Sequence, residues 1–171
     1  MTPPLATARL VLEPLAADHA PIAYGSFADE ALYRYMVGSP PADERALHDH
    51  FARLAAGSGR ANERWLNWLA FRSDDRSLVG WHQATLTLPT ASIAWVTFPA
   101  HRRHGYAHEG AGAVVEWLLG VGAREIVAQS DERNAASRRT AVALGFVEDP
   151  DPIAEQLRGE ATVDRVYRLR R

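Results

Sequence analysis

The stretch that decides the fold is Trp95–Glu109, WVTFPAHRRHGYAHE. Aromatic and β-branched residues over Trp95–Phe98 predict the end of a strand, and Pro99 stops it. From Gly105 to Gly120 the period becomes helical. Ala107, Gly110, Ala111, Val114 and Leu118 share one face, and His108, Glu109, Gly112 and Glu116 share the other. A strand that passes through a short glycine loop into a helix presents unpaired N–H donors and a partial positive charge, which suits a phosphate or pyrophosphate. Gly105 allows close backbone approach and positive φ, Ala107 keeps the first turn small, and Arg102, Arg103 and His104 add positive potential. On these residues alone, an ordinary strand-to-helix loop with solvated arginines is the alternative reading.

Downstream, Glu125–Gln129 reads as a strand and Asn134–Leu144 as a helix. Gly145 stands in the position of a left-handed cap, with Phe146 packing back. A strand Phe146–Glu148, a turn Asp149–Pro152 and a last strand Thr162–Leu169 follow. Strand–helix–strand order predicts parallel pairing through right-handed crossovers. Upstream, Arg9–Leu15 alternates as a first strand. Asp18 is expected to cap a short helix containing Pro21, and Pro40-Pro41 stops the chain. A second helix starts at Asp43-Glu44 and runs to Gly57, with Leu47, Phe51 and Leu54 on one face. Trp65–Phe71, Ser77–Leu88 and Ile93–Phe98 read as antiparallel strands joined by short turns. The expectation is one α+β domain over residues 1–171, a twisted mixed sheet flanked by helices.

Composition removes several chemistries. All nineteen basic residues are arginine and there is no cysteine. That excludes Schiff-base and phosphate-loop lysines, thiolate nucleophiles, disulfides and cysteine-ligated metals. A net charge of −2 gives no general attraction to nucleic acid or anionic membrane. Met1–Leu15 lacks a charged start followed by a long apolar run, and Ala111–Ala123 is too short to span a bilayer, so a cytoplasmic location is expected.

Arg102-x-x-Gly105-x-Ala107, then Asn134-x-x-Ser137, then Leu144-Gly145-Phe146 resemble the acetyl-coenzyme A signature and second cofactor-side helix of the GNAT N-acetyltransferase superfamily. Thr7–Leu15, the Asp18 region and Tyr33-Arg34-Tyr35-Met36 before Pro40-Pro41 resemble its ribosomal-protein N-terminal acetyltransferase (Rim-type) branch. The resemblance runs from about Thr7 to Phe146. It implies a sheet splayed between the strand ending near Phe98 and the strand Glu125–Gln129. The pantetheine arm would pair with backbone groups of Val96, Thr97 and Phe98. The pyrophosphate would sit on N–H groups of Arg103, His104, Gly105, Tyr106, Ala107 and His108, with Asn134 and Ser137 facing the cofactor arm. The implied partners are acetyl-coenzyme A and an amine acceptor, with no nucleic acid, no membrane and a homodimer left open. The implied reaction is direct acetyl transfer in a ternary complex, which requires no protein nucleophile.

Two departures bear on catalysis. Ala141 stands where many members carry a tyrosine acid, and Ser92 where the branch often carries a glutamate. Ser137 is therefore the expected donor to the leaving sulfur. The alternative is a helix serine bonding back to a carbonyl. His82, with an ordinary pKa near 6.5, is the candidate base, with a water chain as the alternative. Tyr33, Tyr35, Trp65, Trp81 and His82 are candidates for the acceptor wall. Metal catalysis through His104, His108 and Glu109 fails because Gly112 replaces the next histidine of that motif. Gly110-x-Gly112 lies inside a helix and is no dinucleotide fingerprint. A non-catalytic acetyl-coenzyme A binding module is the competing reading.

Overall fold

The antiparallel half of the sheet follows the predicted order of strands. The computed structural model describes residues 1–157 and 159–171. A short edge strand β1 (Leu5–Ala6) precedes β2 (Leu10–Pro14), β3 (Arg64–Arg72), β4 (Leu78–Thr87) and β5 (Thr90–Thr97), each antiparallel to its neighbour. Between β2 and β3 lie α1 (Ala20–Phe27), a 3₁₀ segment Glu30–Tyr35 and α2 (Glu44–Ala56). Asp43 caps α2 by accepting from the Ala46 N–H at 2.7 Å, and Gly57 ends it at φ 84°.

From β5 the chain crosses through α3 (Tyr106–Gly120) to β6 (Glu125–Asp131), which pairs parallel with β5. α4 (Ala135–Ala143) then leads to β7 (Val147–Glu148). β9 (Glu160–Arg170) inserts between β6 and β7, antiparallel to both, and β8 (Ile153–Leu157) pairs with β9. The second expected parallel pairing is therefore corrected: β6 and β7 run in the same direction, but β9 separates them.

Asp18 also departs from expectation. The chain enters α1 through a 3₁₀ turn, Ala17–His19, so Asp18 lies inside the turn and caps nothing. The local closure comes instead from the Ala16 N–H donating to His19 Nδ1 at 3.1 Å. At the end of α4, Gly145 (φ 87°) donates to the Val142 carbonyl and Phe146 to the Ala141 carbonyl, the double bond of a Schellman cap.

Side chains alternate across the sheet into two cores. Leu66, Trp68, Ala70, Ala84, Leu86, Ala91 and Ile93 face α3, which contributes Ala111, Val114, Val115 and Leu118. Leu69, Phe71, Trp81 and Phe98 face α1 and α2, meeting Phe27, Leu47 and Phe51. An irregularity between Ala70 and Phe71 lets β4 keep both patterns.

His82 alternates onto the α3 side, where Gly110 leaves room for its ring. A Cβ at position 110 would lie 2.4 Å from His82 Nε2, and that ring is fully buried. Gly110→Ala is therefore expected to cost about 1–3 kcal/mol in denaturant unfolding. A double-mutant cycle with His82→Ala should show positive coupling. Equal losses in both backgrounds would locate the strain elsewhere.

Candidate active site

The sheet opens at one point. β5 and β6 pair from Thr90↔Glu125 to Ile93↔Ala128 and no further, although β5 continues to Thr97 and β6 to Asp131. Each strand is held from its other side, β5 by β4 and β6 by β9, so the two can diverge without unravelling.

Alternation decides which backbone groups face the opening. The Phe98 N–H donates to the Val79 carbonyl at 3.0 Å, and the Phe98 carbonyl accepts from the His101 N–H at 2.9 Å. In an antiparallel ladder this makes Trp81↔Val96 a hydrogen-bonded pair and Gly80↔Thr97 a non-bonded one. Of the three residues expected to line the opening with backbone groups, Thr97 faces it. Val96 and Phe98 are turned to β4, and Trp95 takes their place.

The loop after β5 carries the row of N–H groups that the sequence led us to expect. Among the described residues, no protein acceptor meets the N–H of Arg103, His104, Gly105, Tyr106, Ala107 or His108. Gly105 precedes α3 at φ 81°, with no side-chain cap. Arg103 also takes positive φ, at 69°, which is unusual for a side-chain-bearing residue and turns successive N–H groups inward. Arg102 points away from this cradle: its guanidinium donates to the Thr97 carbonyl (3.4 Å) and the Ala31 carbonyl (3.3 Å), bracing the strand end against the Glu30–Tyr35 segment.

A second brace comes from the other end of the chain, and no local signal around Glu109 announces it. Glu109 accepts from the Thr7 hydroxyl (2.6 Å), the Arg9 N–H (2.8 Å) and Arg9 Nε (2.7 Å). Arg9 also donates to the His104 carbonyl at 3.0 Å, and its guanidinium lies 5.0 Å from the centre of the Tyr106 ring. His104 stacks on that ring at 5.6 Å. Burial raises the proton affinity of Glu109, but the bonds from Thr7 and Arg9 outweigh it and hold the carboxyl below its ordinary range.

On the opposite lip, Asn134 caps α4 by accepting from the Ser137 N–H at 3.2 Å. The Ser137 hydroxyl makes no bond back to a helix carbonyl, unlike Thr140, whose hydroxyl donates to the Ala136 carbonyl at 3.1 Å. Next to them Arg133 forks onto the buried Asp131 at 2.9 and 2.7 Å, and Thr162 donates to the same carboxylate at 2.8 Å. The Arg133 bond pulls Asp131 down to about 2, against burial.

A cavity of about 520 Å³ stands at this end of the sheet, between the Glu30–Tyr35 segment and the β8–β9 hairpin. Glu30, Arg34, Tyr35, Arg133, Leu157 and Glu160 line it. Asp164 shares a face of the hairpin with Leu157 and Glu160. Burial raises its proton affinity, and the nearby Asp131 and Glu155 charges raise it further.

The expected acceptor wall is only partly assembled. Tyr33 and Trp81 belong to the α1/α2 side and Tyr35 lines the cavity. Trp65 lies at the far end of β3, with its indole donating to Glu63 at 3.1 Å. His82 is on the other face of the sheet from Trp81, and burial lowers its pKa to about 4. A sealed ring that resists protonation cannot serve as the proton acceptor, so His82 is corrected to a packing residue. No group of three or more His, Asp or Glu among the described residues is placed to hold a metal ion.

The profile of the acetyltransferase (GNAT) domain family matches residues 9–147. Among solved structures, the GNAT-family acetyltransferase from Bacillus anthracis is similar over 98% of both chains, at 17% identity and a TM-score of 0.83. A GCN5-related N-acetyltransferase from Brucella melitensis gives 15% identity and a TM-score of 0.82, over 99% of this chain and 79% of that one. RimL, a ribosomal L7/L12 α-N-protein acetyltransferase in complex with coenzyme A, gives 16% identity, 98% coverage of both chains and a TM-score of 0.86. No protein of curated function matches the sequence.

The lowered pKa of Glu109 means that its brace stabilises the fold above the ordinary carboxyl range and loses that effect as pH falls through the folded-state value. Glu109→Gln should therefore cost roughly 1–3 kcal/mol at pH 7. The difference from wild type should shrink in acid unfolding curves. A gap that stays constant down to pH 2 would mean that the charge is not what holds the loop.

Proposed function

The chain belongs to the GNAT acetyltransferase domain family, and from that membership we propose that it is an N-acetyltransferase that moves the acetyl group of acetyl-coenzyme A directly onto a primary amine. Acetyl-coenzyme A is the co-substrate of this family, and it supplies the acyl group already activated as a thioester. The observation that carries the reading is the opening between β5 and β6, closed at one end by the unpartnered N–H row of Arg103–His108. That row, at the positive end of α3, fits a pyrophosphate. The Trp95 backbone groups and the Thr97 N–H are left to pair with the amides of the pantetheine arm, while the Thr97 carbonyl already accepts from Arg102.

The acceptor amine enters from the cavity lined by Glu30, Arg34 and Glu160. Its lone pair attacks the thioester carbonyl carbon. As the C–N bond forms and the C–S bond breaks, the Ser137 hydroxyl donates to the departing sulfur. The proton lost by the nitrogen leaves toward Asp164, directly or through water, because that carboxylate is the one at this end with raised proton affinity. The Rim-type branch is the subfamily we favour, on the N-terminal motifs and the similarity to RimL. The second reading, a non-catalytic acetyl-coenzyme A binding module, draws on Ala141, buried in the core at the position where many members carry a tyrosine acid, and on Ser92.

Thermal unfolding with acetyl-coenzyme A, coenzyme A and NAD tests the cofactor site. At a hundredfold over Kd, either coenzyme A species should add about 2.7 kcal/mol, roughly 5–11 °C, and NAD nothing. Gly105→Val should abolish the shift. Ser137→Ala should keep it while lowering kcat about a hundredfold. Equal loss of binding in both variants would overturn this division of labour, and binding without turnover across an amine panel would favour the second reading.

Asp164→Asn separates stability from catalysis. Because the folded state disfavours the charge, the variant should unfold at a higher temperature than wild type at pH 8. That advantage should vanish as pH falls below the ordinary aspartate range. Its turnover should fall over the same neutral range, and full activity in the variant would remove Asp164 from the proton path.

A further inference from the structure

The Glu30–Tyr35 segment has a cavity on each side. Ala31, Arg34 and Tyr35 look onto the charged one described above. Tyr33 helps line a second, of about 340 Å³. The buried Trp81, Phe27 and Leu47 and the half-buried Pro40, Pro41 and His50 all line it. Among the described residues its lining contains no carboxylate and no guanidinium, whereas the first carries Arg34, Arg133, Glu30 and Glu160.

The one imidazole in this lining is held neutral. A guanidinium can only donate, so the 2.6 Å contact between Arg53 Nη2 and His50 Nδ1 makes Nδ1 the acceptor and leaves the ring proton on Nε2. Burial and the Arg53 charge both disfavour a second proton. Two further polar groups are already accounted for or hidden: the Tyr33 hydroxyl donates to the Phe27 carbonyl at 3.0 Å, and Trp81 Nε1 is buried without a partner. A cation entering this cavity would lose its hydration and find no counter-charge, whereas an uncharged ring would find aromatic walls.

The cavity also lies close to the opening between β5 and β6. Trp81 pairs across the sheet with Val96, the residue between the two whose backbone faces the opening, Trp95 and Thr97. Neighbouring strands lie about 4.8 Å apart, so a group seated over Trp81 is one strand away from that edge.

We propose that this second cavity receives an uncharged aromatic group carried by the amine acceptor, so that the enzyme selects amines with a ring a short distance from the nitrogen. The inference rests on the N-acetyltransferase reading and narrows it to a substrate class.

The test compares ethylamine, putrescine and phenethylamine as acceptors, following coenzyme A release from the wild-type chain and from Ala46→Trp. Ala46 lines the cavity on α2, and the larger side chain there fills it. A thermal melt of the variant checks that it folds. The expected result is a kcat/KM for phenethylamine roughly ten- to a hundredfold above that for ethylamine, with putrescine no better than ethylamine. Ala46→Trp should erase most of that ratio. Equal kcat/KM for the three amines, or a preference for putrescine, would overturn the proposal and leave amine acetylation standing. A binding arm reads the cavity without turnover, through tryptophan fluorescence of the coenzyme A-saturated protein titrated with phenethylamine. If no amine is acetylated, a saturable change that is lost in Ala46→Trp keeps the cavity as a ring site while the N-acetyltransferase reading falls. No change sinks the cavity as well. Phenethylamine binding that does not compete with ethylamine turnover would mean a separate ligand, and would also overturn the proposal.

Discussion

The site depends on the point at which two parallel strands stop pairing. Past Ile93↔Ala128, the backbones of β5 and β6 give up their mutual hydrogen bonds. An exposed sheet edge ordinarily invites pairing with whatever strand comes near. Here both edges belong to strands anchored on their outer sides, so the gap persists as a slot lined by unpaired N–H and C=O groups. An extended, amide-bearing ligand arm suits such a slot, because it can replace the missing ladder without moving either strand.

The slot would have little value without a fixed end, and two braces supply it. Arg102 ties the end of β5 to the Glu30–Tyr35 segment. Arg9 and Thr7 tie the β1–β2 connection to Glu109 on the first turn of α3. The Tyr106 ring lies between the Arg9 guanidinium and the His104 imidazole. With its conformation fixed from both sides, the loop can hold Arg103 at positive φ and keep a run of N–H groups unpaired. That strain is tolerable only because the surroundings over-determine it. The Glu30–Tyr35 segment, braced by Arg102, then stands between a charged cavity and an uncharged one.

Much of this was legible in the chain. The change of period at Gly105, the helix start at Asp43-Glu44, the cap at Gly145 and the aromatic and β-branched runs of β3, β4 and β5 are local signals, and local signals fix element type. The row of unpartnered N–H groups was legible too, because a glycine at a helix start carries its meaning in the sequence. Glu109 was not legible. Its partners lie about a hundred positions away at Thr7 and Arg9, and a first-turn glutamate reads by itself as a helix-dipole residue. Asp18 misled because an aspartate before a helix signals a cap only when the chain enters the helix directly, and here a 3₁₀ turn intervenes.

His82 marks the boundary most clearly. Its residue type alone gives a titratable ring with a pKa suited to a base. Which face of β4 it occupies follows from alternation against Trp81, but that one of those faces is sealed by α3 follows from the packing of Gly110 against the ring. The same holds for Val96 and for the Phe98 N–H, which are committed to β4 by the phase of a ladder that no single strand specifies, while the Phe98 carbonyl accepts from His101. Sequence by itself determined the elements, the family motif and the glycine loop that opens α3, because each is written in neighbouring residues. Only the tertiary structure decided which groups face the opening, which are buried and which charges meet, because those depend on strands and helices brought together from distant parts of the chain.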